Sequence, residues 1–187
     1  MGEDRDPDRR LSKLLSYVLR HHPDAAGVTL DPQGWVAIDA LIAGLGARAT
    51  VLTRDVLDRI VAGDSKRRYA VSDDGLRIRA SQGHSVEVEL GYEPAEPPPV
   101  LYHGTPERNL DSIRATGLDR RDRHHVHLSA AIETARQVGG RHGRAVVFTV
   151  DAAAMHSAGI IFHVAANGVW LVDSVAPIYL SVLSPRE

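Results

Sequence analysis

The sequence predicts an α+β protein of two lobes joined by a proline-rich spacer. Helical periods fill the first half, and short apolar strands with tight turns dominate the second. Between them runs Gly91-Tyr92-Glu93-Pro94-Ala95-Glu96-Pro97-Pro98-Pro99, in which three consecutive prolines favour a stiff, extended chain. The lobes are therefore expected at 1–90 and 100–187, with 91–99 as linker, and 187 residues suffice for two small lobes.

The strongest helical period covers 7–21, where Leu11, Leu14, Leu15, Val18 and Leu19 share one face. Asp6 is placed to cap this helix, Pro7 suits its first position, and Pro23 ends it. Arg20 and His21 then fall in the last turn, where exposed carbonyls favour cations and the charged imidazole. A short strand is expected around Gly34-Trp35-Val36. Asp39 should cap a second helix carrying Leu41, Ile42 and Leu45, and Thr53 a third carrying Val56, Leu57, Ile60 and Val61. A hairpin follows, with strands at 67–71 and 76–80 around Asp73-Asp74-Gly75. Three helices and a two-stranded wing read as a winged helix. Strand alternation turns Tyr69, Val71, Leu76 and Ile78 inward and Arg68, Arg77 and Arg79 outward.

In the second half, strands are expected at 100–103, 125–128, 145–150, 160–164, 169–173 and 178–183. A helix over 107–115 should end at Gly117, and Ser129 should cap another that runs to Val138. Asn167-Gly168 predicts a type I′ hairpin turn. Asp151 reads as a helix cap and Asp173 as a strand end.

Composition narrows the function. A protein that binds nucleic acid by bulk electrostatics alone is normally basic, so at a formal charge of −2 an RNA or DNA role needs a local arginine cluster. The absence of cysteine removes disulfides, thiol catalysis and cysteine-ligated zinc, and fits a reducing cytosol. The charged start, residues 1–10, and the lack of a long apolar run predict neither signal peptide nor membrane span. There is no dinucleotide-binding or phosphate-loop glycine signature, and no serine in a nucleophile elbow. Between Thr134 and Arg186 no glutamate occurs, so a catalytic carboxylate pair is not expected there.

The densest chemistry lies in Arg123-His124-His125-Val126-His127-Leu128-Ser129, flanked by Tyr102-His103-Gly104-Thr105 and Gly139-Gly140-Arg141-His142-Gly143. Histidines and arginines beside small residues and short strands suit a pocket for phosphates and a nucleotide. Alternation places His125 and His127 on one face, where they could bind zinc with His103 or His142, or hydrogen-bond a sugar. Gly104 would let a ligand approach the backbone, and the glycines around Arg141 would present its guanidinium to a pyrophosphate.

Six segments, in order, resemble the RNA 2′-phosphotransferase family. They are Leu11-Ser12-Lys13-Leu14-Leu15-Ser16-Tyr17-Val18-Leu19-Arg20-His21; Asp31-Pro32-Gln33-Gly34-Trp35-Val36; Ile78-Arg79-Ala80-Ser81-Gln82-Gly83-His84-Ser85; Leu101-Tyr102-His103-Gly104-Thr105; His125-Val126-His127-Leu128-Ser129; and Val138-Gly139-Gly140-Arg141-His142-Gly143. The resemblance implies an N-terminal winged-helix-like RNA lobe and a C-terminal ADP-ribosyltransferase-like lobe for NAD, with the active site in the cleft between them. It implies a two-step reaction. An internal RNA 2′-phosphate displaces nicotinamide from NAD, and the ribose O2″ then attacks phosphorus. The products are 2′-hydroxyl RNA and ADP-ribose 1″,2″-cyclic phosphate.

The family's catalytic set falls on Arg20, His21, Arg68 and Arg141. Its NAD motifs fall on His103, Gly104, Thr105, His127 and Ser129, with Asn109 and Arg123 as further contacts. Lys66-Arg67-Arg68-Tyr69 offers two neighbouring arginines, and the choice of Arg68 over Arg67 depends on strand parity. Where protein-modifying ADP-ribosyltransferases place a glutamate, Val169 stands here, which favours attack by O2″ on phosphorus. NAD as co-substrate, no metal, a tRNA-like RNA partner, no membrane, a cytoplasmic location and a monomeric state complete the expectation. The competing readings are ADP-ribosyl capping of 5′-phosphate ends, a winged-helix regulator without catalysis, and a three-histidine metal hydrolase. The regulator needs a basic recognition helix, and 54–61 carries Arg54, Asp55, Asp58 and Arg59 in balance.

Overall fold

Helix α1 (Pro7–Arg20) begins where local chemistry dictates: the Asp8 N–H donates to Asp6 Oδ1 at 3.0 Å and Pro7 occupies the first turn. The computed structural model describes residues 6–183. The charged start at 1–5 and residues 184–187 lie outside it. The chain divides into two units, the first ending at Gly91 and the second starting at Tyr92. Mixed helices and small sheets agree with the expected α+β class. No helix among the described residues is long and apolar enough to cross a membrane.

In the first unit, α1 buries Leu15, Val18 and Leu19 against Leu41, Leu45, Leu57, Ile60, Tyr69 and Ile78. Strand β1 (Val36–Ala37) leads directly into α2 (Ile38–Gly46), and α3 (Arg54–Ala62) starts with the Val56 N–H donating to Thr53 Oγ1 at 3.3 Å. Strands β2 (Tyr69–Val71) and β3 (Arg77–Ala80) form an antiparallel hairpin, and the sheet order is β1-β3-β2.

Two expectations fail here. Asp39 does not cap α2; Ala37 holds that position without a side-chain bond, and Asp39 sits in the first turn, where the helix dipole still favours it. Leu76 does not face the core. It is 62% exposed because β3 starts one residue later, leaving Leu76 in the turn.

The second unit is built on β4 (Val100–Pro106) and β7 (Ala145–Asp151), antiparallel from Val100↔Asp151 to Pro106↔Ala145, with β11 (Leu180–Val182) on the other edge of β7. A second sheet has the order β6-β9-β8, from β6 (Val126–Leu128), β8 (His163–Val164) and β9 (Trp170–Val172). The two sheets meet where Tyr102 and Ser129 exchange backbone hydrogen bonds of 2.8 Å each. That bridge corrects the expected role of Ser129. Helix α5 (Ile132–Gly139) starts later, with Ala131 at its cap position and no side-chain cap.

Helix α4 (Leu110–Thr116) ends at Gly117, α6 (Ala152–Ser157) is capped by Asp151, and β5 (Leu118–Asp119) pairs with β10 (Ser174–Val175). The linker residues are not free of the second unit: the Ala95 N–H donates to the Phe162 carbonyl at 2.8 Å and Pro94 bridges to His163.

The turn between β8 and β9 also differs from expectation. Only Gly168 has a positive φ, +78°, whereas a type I′ turn needs two such residues. The Gly168 N–H donates to the Ala165 carbonyl at 2.8 Å and the Ala165 N–H to the Val169 carbonyl at 2.9 Å. This is a longer hairpin loop with a left-handed glycine at its end.

Gly104 explains how α5 lies on β4. A Cβ added there would stand 1.6 Å from the Ala135 carbonyl oxygen, and one added at Gly139 would stand 2.7 Å from the Thr105 nitrogen. Helix and strand touch backbone to backbone at these two glycines. From sequence, Gly104 is expected to let a ligand approach the backbone; on the side where a Cβ would project, the close neighbour is α5. Gly104→Ala is therefore expected to lower the thermal midpoint by more than about 10 °C, through at least about 3 kcal/mol of overpacking. Gly46→Ala, in α2 with nothing within 4 Å, is expected to leave the midpoint unchanged or raise it. Thermal unfolding followed by circular dichroism checks both.

Candidate active site

In the first unit the site is assembled on α1. Ser12, Ser16 and Arg20 are spaced by four residues and so share one helix face. The Tyr69 hydroxyl donates to the Ser12 carbonyl at 2.5 Å. Its single proton is then spent, so Ser16 Oγ at 2.7 Å and Ser12 Oγ at 3.1 Å must donate to the phenolic oxygen. Arg68 completes the chain: its Nη1 donates to Ser12 Oγ at 3.2 Å and lies 3.4 Å from Asp64 Oδ1, whose other oxygen accepts the Arg68 N–H. Asp64 is only 3% exposed, so this carboxylate is a rigid anchor.

The outward face expected for Arg68, Arg77 and Arg79 together is corrected by this geometry. Arg67 has φ +45°, which breaks strand parity just before β2, and Arg68 turns toward α1. Arg77 and Arg79 do share a face, but they stack on Trp35 at 5.5 and 4.5 Å from its ring centroid. Arg77 also meets Asp31 at 3.7 Å, and Arg79 donates to the Gln33 carbonyl at 3.2 Å. Arg67 and Arg68 thus separate, the first exposed and the second half-buried beside Ser12.

At the end of α1, Arg20 is the last helical residue and His21 the cap, its N–H bonded to the Tyr17 carbonyl at 3.0 Å. His21 Nδ1 lies 2.9 Å from Ser85 Oγ. The arginines of α3 are engaged elsewhere, Arg54 with Asp58 at 2.9 Å and Arg59 with Asp8 at 2.6 Å, which leaves no basic recognition surface there.

In the second unit, β4 and β6 bring His103, Arg123 and His127 together. His103 Nδ1 is 3.1 Å from the His127 carbonyl, and a carbonyl only accepts, so Nδ1 carries the proton. Burial pushes the His103 pKa down, the backbone bond to His127 opposes this, and nearby Arg123 adds to it. The ring is therefore neutral at neutral pH, with Nε2 as an acceptor. His127 has the opposite polarity. Arg123 Nη1 donates to its Nδ1 at 3.0 Å, and a guanidinium cannot accept, so the proton sits on Nε2. Two adjacent imidazoles thus present one acceptor and one donor.

Arg141 lies in a single 3-10 turn, Gly140–His142, directly after α5. Burial, and then repulsion from Arg141, lowers the Arg123 pKa. The two guanidiniums therefore feel each other, and neither has a carboxylate partner in ion-pair range among the described residues. Asn109 Nδ2 donates to Thr105 Oγ1 at 3.0 Å, and Thr105 is 3% exposed. Ser129 is held by its bridge to Tyr102. His125 joins a different group, 5.9 Å from His163 and 6.2 Å from Tyr92 between ring centroids, with Asp173 at 4.0 Å. No cluster of three histidine, aspartate or glutamate side chains is arranged to hold a metal ion among the described residues.

Sequence reasoning missed Ser12, Asp64, Tyr69 and Ser85 as partners of the site arginines and histidine. The i, i+4, i+8 spacing of Ser12, Ser16 and Arg20 beside the apolar face of the helix was the available signal.

The first unit thus carries Arg20 and His21 at the end of α1 and Arg68 beside Ser12 on the same helix, and the second a neutral histidine pair beside two arginines. Arginine and histidine are the residue types that hold phosphates and move protons in enzymes of phosphate-group transfer. Comparison with known proteins makes the class specific. A model of the RNA 2′-phosphotransferase, Tpt1 / KptA family matches residues 6–174. A protein of Pseudomonas aeruginosa named "Probable RNA 2′-phosphotransferase" is 56% identical, covering 88% of this chain and 91% of its own. Proteins of the same name from Streptomyces coelicolor and Nostoc punctiforme are 54% and 53% identical, covering 95% and 91% of this chain and 96% and 94% of their own. The chain belongs to the RNA 2′-phosphotransferase family.

The histidines give stability a pH dependence. Burial lowers the pKa of His103, and of His125, from an ordinary value of 6.5. The unfolded chain takes up these protons near that value, and the folded chain resists until lower pH. Stability is then fully present above about pH 6.5 and declines as pH falls toward the depressed folded values. Thermal midpoints between about pH 8 and about pH 5 should fall on acidification, and His103→Gln should reduce that slope.

Proposed function

We propose that the chain is an NAD-dependent RNA 2′-phosphotransferase. The first unit, a winged-helix-like fold in this reading, grips the RNA 2′-phosphate. The second, ADP-ribosyltransferase-like, holds NAD. The observation that carries the reading is the placement of Arg68, fastened by Asp64 and Ser12 to the same α1 face that bears Arg20. Arg20 stands two turns beyond Ser12, about 12 Å along the axis, and its side chain leans back toward the helix start. Two long guanidiniums approaching one face from opposite ends suit a single dianionic group, with His21 as a third donor.

NAD, as co-substrate, supplies the ribose carbon to which the phosphate transfers. His103 and His127 fit it: one accepts from a sugar hydroxyl and the other donates. Thr105, buried and bonded to Asn109, backs that surface with Ser129, Gly104 serves it by seating α5 against β4, and Arg123 and Arg141 supply positive charge for a pyrophosphate. Arg141 is assigned further to the transesterification, where a crowded, negatively charged phosphorus centre gains most from a fixed cation. Val169, whose N–H donates to Asn167 Oδ1 at 3.3 Å, leaves no carboxylate to restrain the attacking ribose oxygen. The enzyme acts on tRNA-like RNA as a cytoplasmic monomer and without a metal.

The test uses an oligonucleotide with one internal 2′-phosphate, with and without NAD, in the presence of a chelator. The expected outcome is phosphate loss that requires NAD and yields ADP-ribose 1″,2″-cyclic phosphate. Loss of phosphate without NAD, or no loss with it, refutes the reading. Alanine at Arg20, His21 or Arg68 should slow the first step by about 10²- to 10³-fold, by analogy with a lost oxyanion donor. Arg141→Ala should instead let ADP-ribosylated RNA accumulate. Full turnover by that variant removes the role given to Arg141.

A further inference from the structure

The segment Ser81-Gln82-Gly83-His84-Ser85 follows β3 and has no role in the proposed reaction. It returns to the end of α1 and binds it twice through one residue. The Ser85 N–H donates to the Arg20 carbonyl at 2.9 Å, and Ser85 Oγ lies 2.9 Å from His21 Nδ1. The Arg20 carbonyl belongs to the last turn of α1, where backbone acceptors lack partners within the helix. Ser85 thus satisfies a helix-end acceptor with its backbone and orients the next residue's ring with its side chain.

The segment is itself fixed. His84 is 2% exposed, and its Nε2 lies 3.5 Å from where a Cβ on Gly34 would stand. Further on, the Glu89 N–H donates to the Pro32 carbonyl at 2.7 Å. The adjacent His22 takes a different course, stacking on Tyr17 with centroids 4.5 Å apart. Of these two consecutive histidines, only His21 meets a hydroxyl.

We propose that Ser85 is a positioning residue for His21: its hydroxyl holds Nδ1 at 2.9 Å and so fixes the direction of the ring and of Nε2 for the phosphate. A serine hydroxyl can do this in both charge states. It donates to Nδ1 of the neutral ring and accepts from Nδ1–H of the imidazolium. A backbone carbonyl would favour only the protonated Nδ1. The proposal rests on the reading of His21 as a 2′-phosphate ligand, and its test separates the two.

Ser85→Ala removes the hydroxyl and keeps the backbone bond to Arg20. Single-turnover rates on the 2′-phosphorylated oligonucleotide are measured for Ser85→Ala, Ser85→Thr, His21→Ala and the Ser85→Ala/His21→Ala pair, with thermal midpoints alongside. Expected are a loss on the order of 10- to 100-fold for Ser85→Ala, largely restored by Ser85→Thr, with a midpoint close to wild type. In the His21→Ala background the same change should cost less than about 2-fold, because the ring it positions is gone. Equal cost in both backgrounds, or full activity of Ser85→Ala, overturns the positioning role. Full activity of His21→Ala instead overturns the ligand role of His21, and the positioning of that ring for catalysis falls with it.

Discussion

The first unit depends on the orientation of α1 about its own axis. One face buries Leu15, Val18 and Leu19, and the face bearing Ser12, Ser16 and Arg20 carries the polar work. The Tyr69 hydroxyl locks that orientation, since its donor goes to the Ser12 carbonyl and it accepts from both serine hydroxyls. Because Arg68 immediately precedes Tyr69, the lock that docks the hairpin also sets where the guanidinium emerges. Asp6 and Pro7 fix one end of the helix and Pro23 limits the other, so the last helical residue is Arg20. Rotation by one residue, about 100°, would turn Arg20 off the polar face and carry Ser12 and Ser16 away from the Tyr69 hydroxyl.

What was legible in the sequence was what depends on local period and capping. The α1 and α3 faces, the caps at Asp6, Thr53 and Asp151, and the helix stop at Gly117 all follow from neighbouring residues. What failed depends on partners far along the chain or on one unusual dihedral. Parity predicted Arg68 outward, and the left-handed Arg67 broke the count. Ser129 had the residue type of a helix cap, but an open carbonyl and N–H on Tyr102 claimed its backbone. Asn167-Gly168 had the composition of a type I′ turn, yet only the glycine adopts a positive φ.

For the site, residue types were legible and pairings were not. Arginines and histidines stand out in a sequence wherever they fall. That Ser85 meets His21 across 64 positions, or that Arg123 chooses the tautomer of His127, needs the fold. The glycine at 104 shows the same limit from the other side: its invitation to close approach was readable, but not that a helix would accept it.

The second unit holds its cations at a cost to itself. Arg123 is desolvated and repelled by Arg141, with no carboxylate nearby to compensate among the described residues. A group of this kind persists in a fold when the missing charge arrives with a ligand. Of the two guanidiniums, Arg123 is held by its bond to His127, while Arg141 is carried on the short turn that follows α5. The backbone contact at Gly104 and Gly139 is what seats α5 against β4. The close packing that seats α5 and the placement of the turn bearing Arg141 therefore share the same two glycines, and a change at either would act on both.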